Sequence, residues 1–236
     1  MTAAFEELAW AETALGALSL RRRHDPSLGT DVYEVKLDDE FLMSSAFTVA
    51  EVALARLGLA AVAGDDLDVI VGGLGLGYTA RAALGDERVR SLTVIETLAD
   101  VIEWHERDLL PGAAALVSDP RTRLVHGDFF AMVASDVGFD PGAPARQVDA
   151  ILVDIDHTPR HVLHPSHADF YTAAGLRQLT RHLRPGGVFA LWSDDPPDAG
   201  FLEVTSGVFD HADAHVVTFE NVLTGSAAAN TIYVAR

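Results

Sequence analysis

From Leu67 onward, short, largely apolar runs alternate with stretches of helical periodicity. Leu67–Val71, Leu92–Ile95, Arg123–His126, Val148–Asp154 and Val188–Ser193 predict strands covered on both faces, because most show an apolar run rather than an in/out alternation. Between and after them the spacing predicts helices over Tyr78–Leu84, Leu98–Leu109, Phe129–Ala134, Ala168–Leu183 and Ala199–Phe209. In the second helix Leu98, Val101, Ile102, His105 and Leu109 share one face. An earlier helix starts near Thr48 and is expected to stop at Gly58, before a turn at Gly64-Asp-Asp. Residues 136–147, rich in Gly, Pro and Asp, predict a loop, and Arg184-Pro-Gly-Gly187 a turn into the next strand. His215–Phe219 and Thr231–Ala235, separated by Thr224-Gly-Ser-Ala, predict an antiparallel pair. Five strand–helix units closing on a hairpin predict an α/β fold with a doubly wound, mostly parallel sheet whose last strand is antiparallel.

The first 48 residues follow another pattern. Leu18-Ser-Leu-Arg, Asp31–Leu37 and Glu40-Phe-Leu-Met43 alternate like short strands, with turns at His24–Gly29 and Asp38-Asp39. The expected organisation is a small N-terminal β arm over 1–48 and a Rossmann-like domain over 49–236. The triplet Arg21-Arg22-Arg23 lies inside the arm and reads as a solvated strand edge.

Candidate chemistry concentrates where the first long strand ends. Asp68-Val-Ile-Val-Gly-Gly-Leu-Gly-Leu-Gly-Tyr runs from a strand through Gly73, Gly75 and Gly77 into a helix. Glycines let the backbone turn sharply and approach a ligand, and the helix start directs free N–H groups at it. The segment therefore predicts a nucleotide or nucleoside pocket at the carboxyl edge of a parallel sheet. Glu96 ends the next strand, nineteen residues past Gly77, where an acid can accept both hydroxyls of a ribose. Gly75-x-Gly77-x-x-Ala80 also fits a variant of the dinucleotide fingerprint, so a nicotinamide oxidoreductase stands as a rival reading.

Composition narrows the partners. A chain of 236 residues with 49% hydrophobic content suits a globular α/β domain with a short appendage. No run reaches the length of a membrane span, and no secretion signal is read at Met1-Thr-Ala-Ala-Phe, so no membrane partner is expected and cytoplasmic is the expected location. With no cysteine there is neither a disulfide framework nor a thiolate nucleophile. The net charge of −18, with Lys36 the one lysine, argues against a nucleic-acid partner and suits a small cationic substrate or simple solubility.

Taken together, Gly72–Gly77, Ile95-Glu96, His126-Gly-Asp-Phe129, Val148–Asp154 and Leu183-Arg-Pro-Gly-Gly-Val188 resemble the spermidine synthase-like family, with a class I S-adenosylmethionine-dependent methyltransferase fold. Tyr33–Ser45 resembles that family's N-terminal arm. The resemblance implies that Gly73, Gly75, Gly77 and Glu96 hold a sulfonium nucleoside and that Asp128 and Phe129 flank its adenine. It places Asp154 at the position of the catalytic aspartate, which receives a proton from the attacking amine, and Asp156 and His157 near the family's second acid. It also implies S-adenosylmethionine or its decarboxylated form as cofactor, a small-molecule acceptor, and a homodimer.

The departures are as informative as the matches. The family's loop aspartate, which pairs with the amino end of decarboxylated S-adenosylmethionine, is here Gly75. A Tyr-His or Tyr-Gln pair after Glu-Phe is replaced by Leu42-Met43-Ser44, and a late Thr-Tyr-Pro by Phe219-Glu-Asn221. An acid at Gly75 would repel the carboxylate of intact S-adenosylmethionine, whereas glycine tolerates it, so methyl transfer leads. Aminopropyl transfer and a non-catalytic nucleoside-binding homologue remain as alternatives.

Each candidate also has a plainer reading. The glycines could be packing glycines of an ordinary turn, Glu96 a solvated strand end, Asp128 a helix cap and Asp156 a turn residue. His157, His161, His164 and His167 could converge on a metal, but Pro159 and Pro165 break their register and no metal is expected. Trp104 reads as packing, and Trp192 as a wall of the acceptor site.

Overall fold

A computed structural model describes residues 5–140, 142, 145–221 and 225–236. The turn expected at Thr224 and part of the loop expected over 136–147 lie outside the described residues.

The arm is a four-stranded antiparallel sheet in the order β1-β2-β3-β4, from β1 (Phe5–Thr13), β2 (Gly16–Asp25), β3 (Thr30–Leu37) and β4 (Glu40–Ser44). Its first strand carries Phe5 and Trp10 exposed and has no steady alternation, so the hydrophobic pattern did not predict it. Because β1 is present, β2 is internal, which corrects the reading of Arg21–Arg23 as a strand edge. Arg22 instead pairs with Glu6 of β1, and Arg23 with Asp25 and Glu34 at 2.6 and 2.9 Å.

The rest of the chain runs through α1 (Val49–Ala60), β5 (Leu67–Gly72), α2 (Tyr78–Leu84), β6 (Val89–Glu96) and α3 (Ala99–Glu106). It continues with α4 (Ala113–Ser118), β7 (Thr122–His126), α5 (Phe129–Ala134), β8 (Val148–Val153) and a 3-10 helix over Pro165–Tyr171. Last come α6 (Ala173–Thr180), β9 (Leu183–Ser193), α7 (Ala199–Ser206), β10 (Ala212–Asn221) and β11 (Ser226–Ala235). The seven strands order as β10-β11-β9-β8-β5-β6-β7, and only β11 runs against the others. This is the doubly wound, mostly parallel sheet with a reversed last strand.

Apolar strands are explained by the two cores. Val69 and Val71 of β5 and Ala150 and Leu152 of β8 face a layer with α1, α2 and α3, while Ile70, Ile151 and Val153 face α5, α6 and α7. Leu18, Leu20 and Val35 of the arm join the first layer, which ties the arm's position to the sheet.

Several boundaries shift for local reasons. Gly58 does not end α1. It sits inside the helix, where a Cβ would come within 2.6 Å of Leu152, so its small size lets α1 lie flat on the sheet. The helix expected over Ala168–Leu183 is broken at Thr172, whose hydroxyl caps α6 by accepting the Gly175 amide at 3.2 Å. Arg184–Gly187 is drawn into β9 rather than forming a separate turn. Among the described residues no helix is long and apolar enough to cross a membrane.

Candidate functional site

Strand order reverses between β5 and β8, and the loops leaving their carboxyl ends meet there: the Asp154 amide donates to the Gly72 carbonyl at 2.8 Å. Ligand sites in open α/β sheets form at such a crevice. The glycine loop is built for it. Gly73 has φ +92°, and a Cβ there would collide with the Asp154 carbonyl oxygen. Gly77, at φ +80°, precedes α2 and lets His105 pack within 2.8 Å of where its Cβ would be.

Two side chains set the shape of this loop. Glu96 accepts the Leu74 amide at 3.0 Å through Oε2 and the Leu98 amide at 2.8 Å through Oε1. Burial raises its pKa, opposed by these backbone donors. His105, almost fully buried on α3, places Nε2 2.9 Å from the Gly75 carbonyl, and desolvation lowers its pKa, which favours the neutral ring. The sequence offered His105 only as a face-sharing helix residue, and nothing in its spacing marked the loop contact.

A chamber of about 490 Å³ opens beneath Gly73 and Gly75. Glu96, Leu98, Asp128, Ile155 and His167 are among its walls, and Ala14 and Leu15 of the β1–β2 turn reach it from the arm. Asp128 caps α5, its Oδ1 accepting the Ala131 amide at 3.1 Å, and it also lines the chamber. Phe129 also borders the chamber but is nearly buried, stacking on Phe139 at 5.6 Å and packing where a Cβ at Gly72 would be. It forms floor more than flank.

A second chamber, about 390 Å³, lies on the other side of the loop. Glu51, Asp194, Trp192, Phe47 and Phe219 line it, and it has no Lys or Arg among its lining residues. Asp154, Gly75, Met43, Leu42 and Ile155 border both chambers, so the two meet at these residues. Met43 occupies the space in front of Gly75: a Cβ on Gly75 would lie 2.7 Å from its sulfur. Asn230 Nδ2 donates to Asp194 Oδ1 at 2.7 Å, which holds that acid at the far wall.

Asp154 is the acid at the junction. Thr79, buried at the start of α2, donates its hydroxyl to Asp154 Oδ2 at 2.6 Å. Burial nevertheless pushes the Asp154 carboxyl up to about 6, and burial together with the Asp154 charge pushes Glu51 up to about 8. Glu51 and Thr79 were not singled out in the sequence, because they join the site by packing of α1 and α2 over a strand end distant in sequence.

The other two candidates separate. His157 lines the second chamber, and its Nε2 is 3.1 Å from Glu40 Oε1, which links body to arm. Asp156 lines neither chamber: it is 1% exposed and accepts from the Leu163 amide, His167 Nδ1 and Tyr171 Oη at 2.7, 2.8 and 2.8 Å. Among the described residues no group of three or more His, Asp or Glu side chains is placed to hold a metal ion.

No family model matches the chain. Putrescine N-methyltransferase 3 of Nicotiana tabacum is 30% identical over 135 residues, 57% of this chain and 32% of that protein, so the match spans about a third of the relative's length. A spermidine synthase solved in complex with the transition-state analogue AdoDATO superposes with a TM-score of 0.75 at 19% identity, covering 97% of this chain and 73% of that one. The spermidine synthase from Thermotoga maritima gives a TM-score of 0.71 at 20% identity, covering 97% and 71%. The chain has the fold of spermidine synthases, a Rossmann-like sheet with an N-terminal β arm, as the motif resemblance implied.

Proposed function

We propose that this chain is a transferase that binds S-adenosylmethionine in the chamber beneath Gly73 and methylates a small cationic acceptor held in the chamber beside Glu51. The observation that carries the reading is the meeting of the two chambers at Asp154, with Gly75 and Met43 forming the remaining wall.

The residues fit the parts of such a ligand. Backbone amides, those of Leu74 and Leu98 among them, fix the Glu96 carboxylate at the chamber wall, where it is oriented to accept the hydroxyls of a ribose. Asp128 Oδ1 is used by the helix cap, which leaves Oδ2 to accept an exocyclic amine. When bound, the sulfonium supplies an activated methyl carbon and a positive charge. Asp154 is then favoured as the carboxylate, since an adjacent cation offsets its desolvation. Thr79 fixes its orientation, so the free oxygen can hold the acceptor nitrogen in line and take the proton that nitrogen gives up. Glu51 and Asp194, with no Lys or Arg among the described residues lining this chamber, complement a cationic acceptor.

Gly75 supports the intact cofactor over the decarboxylated one. No acid stands at that position to repel a carboxylate, and Met43 fills the space an acidic side chain would need. Aminopropyl transfer is the second reading, favoured by the fold of its solved neighbours and by the acidic acceptor chamber. Calorimetry with S-adenosylmethionine, its decarboxylated form and 5′-methylthioadenosine distinguishes them. Tight binding of the carboxylated compound supports methyl transfer, preference for the decarboxylated compound replaces it with aminopropyl transfer, and binding of none removes the nucleoside reading itself.

A further inference from the structure

A buried carboxylate with no role at the junction calls for an account, because removing a charge from water is costly unless it organises something. Asp156 is such a group. It lies two residues past Asp154, points away from both chambers, and is surrounded by three donors and no Lys or Arg within its hydrogen-bond set. One of those donors, His167, does reach a chamber. Its ring lines the nucleoside cavity and is stacked on Phe130 at 4.0 Å between centroids and 26° between planes, so its plane is fixed.

We propose that His167, held by Asp156, reads the base of the bound nucleoside: an unprotonated Nε2 accepts a hydrogen from the exocyclic amine of a 6-aminopurine and rejects a 6-oxopurine. The inference rests on the nucleoside reading of that chamber and adds to it the residue that selects the base.

The hydrogen-bond pattern fixes the tautomer. Asp156 Oδ1 receives both the Leu163 amide, at 2.7 Å, and His167 Nδ1, at 2.8 Å. The Leu163 amide can only donate, and an ionised Asp156 carboxylate can only accept, so with Asp156 ionised Nδ1 carries the hydrogen it shares with Oδ1. In the neutral ring the lone pair then sits on Nε2. Tyr171 Oη donates to the other oxygen at 2.8 Å, and burial with the Asp156 charge holds its phenol well above the usual range, so it stays a donor. Nε2 has no protein partner among the described residues and remains the edge of the ring left for a ligand.

A purine amine has two hydrogens, and two residues lining this cavity each keep an acceptor outside the hydrogen bonds described above: Asp128 its Oδ2 and His167 its Nε2. A 6-oxopurine brings an acceptor where the amine was. It would set a carbonyl oxygen against a carboxylate and a lone pair, leaving buried groups unpaired, which is the arrangement that gives strong rejection.

The test is equilibrium binding of adenosine, inosine and purine riboside, which bears hydrogen at C6, to the wild-type protein and to variants His167→Leu, His167→Gln, Asp156→Asn and Asp156→Leu, with thermal melts as a fold check. Wild-type protein should prefer adenosine to inosine by about a hundredfold, with purine riboside between them. His167→Leu should bind adenosine about tenfold more weakly with little change for inosine. Asp156→Asn should keep the preference, because the amide oxygen can take the Oδ1 place and retain both donors, whereas Asp156→Leu should lose it. A purely structural Asp156 would move the melting temperature without moving the adenosine-to-inosine ratio. Folded His167→Leu or, where that fails to fold, folded Asp156→Leu with the wild-type ratio overturns the proposal while leaving the nucleoside reading intact, as does a wild type indifferent between the bases; His167→Gln, whose amide oxygen can still accept, should keep part of the preference. Failure of every nucleoside to bind overturns the chamber's assignment as well.

Discussion

Replacing Glu51 with Gln should change stability in a pH-dependent way whose sign follows from the site. Burial pushes Asp154 from an ordinary 3.8 up to about 6, and burial plus the Asp154 charge pushes Glu51 from 4.5 up to about 8. Each folded value lies above its unfolded value, so the folded chain holds more protons than the unfolded one across that window. Unfolding free energy therefore falls as pH rises: the contribution is intact below about 4 and is lost as pH passes the folded values. Each tenfold change in proton affinity between the folded and unfolded chain corresponds to about 1.4 kcal/mol, so Asp154 alone puts about 3 kcal/mol at stake. The Glu51 share overlaps with it, since the Asp154 charge is one of the two causes that raise Glu51. Glu51→Gln removes one charge at constant size. Urea unfolding should find it more stable than wild type by about 1–3 kcal/mol at pH 9 and by less than about 1 kcal/mol at pH 5. A saturating cationic acceptor should reverse the order at pH 9, because it binds only the charged pair well. A Glu51→Gln variant equal to or weaker than wild type at pH 9, or a difference constant across pH, would refute the description of these acids as a buried, mutually repelling pair.

Two further outcomes test the proposed roles. Glu96→Ala should weaken nucleoside binding by about 1–3 kcal/mol, the scale of a lost bond to a charged acceptor, and calorimetry with 5′-methylthioadenosine measures it; unchanged affinity would move the ribose elsewhere. Asp154→Asn should abolish turnover while leaving cofactor affinity within about threefold, under 1 kcal/mol, and persistent turnover in a discontinuous methyl-transfer assay would remove Asp154 as the proton acceptor.

What the sequence made legible was what depends on local pattern. Runs such as residues 150–153 are apolar because both faces of their strand are covered, and that signal survives without knowing what covers them. The glycine cluster was legible because positive φ leaves few alternatives to glycine, and all three of its odd-numbered members adopt it. Where an element's boundary depends on its neighbours, the pattern misled. Gly58 reads as a helix stop in isolation and is a close-packing point once Leu152 lies beneath it. Arg21–Arg23 reads as an edge until β1, whose own residues alternate poorly, supplies the acids that pair with Arg21 and Arg22. The same limit applies to chemistry. Glu51, Thr79 and His105 reach the junction through tertiary contacts and leave no spacing signature, while Asp156, adjacent in sequence to two chamber residues, faces the opposite way.

That last contrast bears on how the acceptor half of this fold diverges. Gly75 and Met43 are thirty-two positions apart, and in the sequence they stand as two unrelated departures from the family pattern. In the structure they are one contact, with the Met43 sulfur 2.7 Å from where a Gly75 Cβ would be. An aspartate could not be restored at the loop alone: φ +48° is a region that Asp tolerates, but the Met43 thioether would have to leave to make room for its side chain. Nor could the arm recover a polar side chain at Met43 without placing it against the bare loop. The two positions are therefore sterically coupled, and together they give a wall that is apolar and uncharged. On the proposed reading, preference between a carboxylated and a decarboxylated sulfonium would be set by the arm as much as by the glycine loop, because the N-terminal sheet and its first turn supply Leu15, Leu42 and Met43 to the chambers.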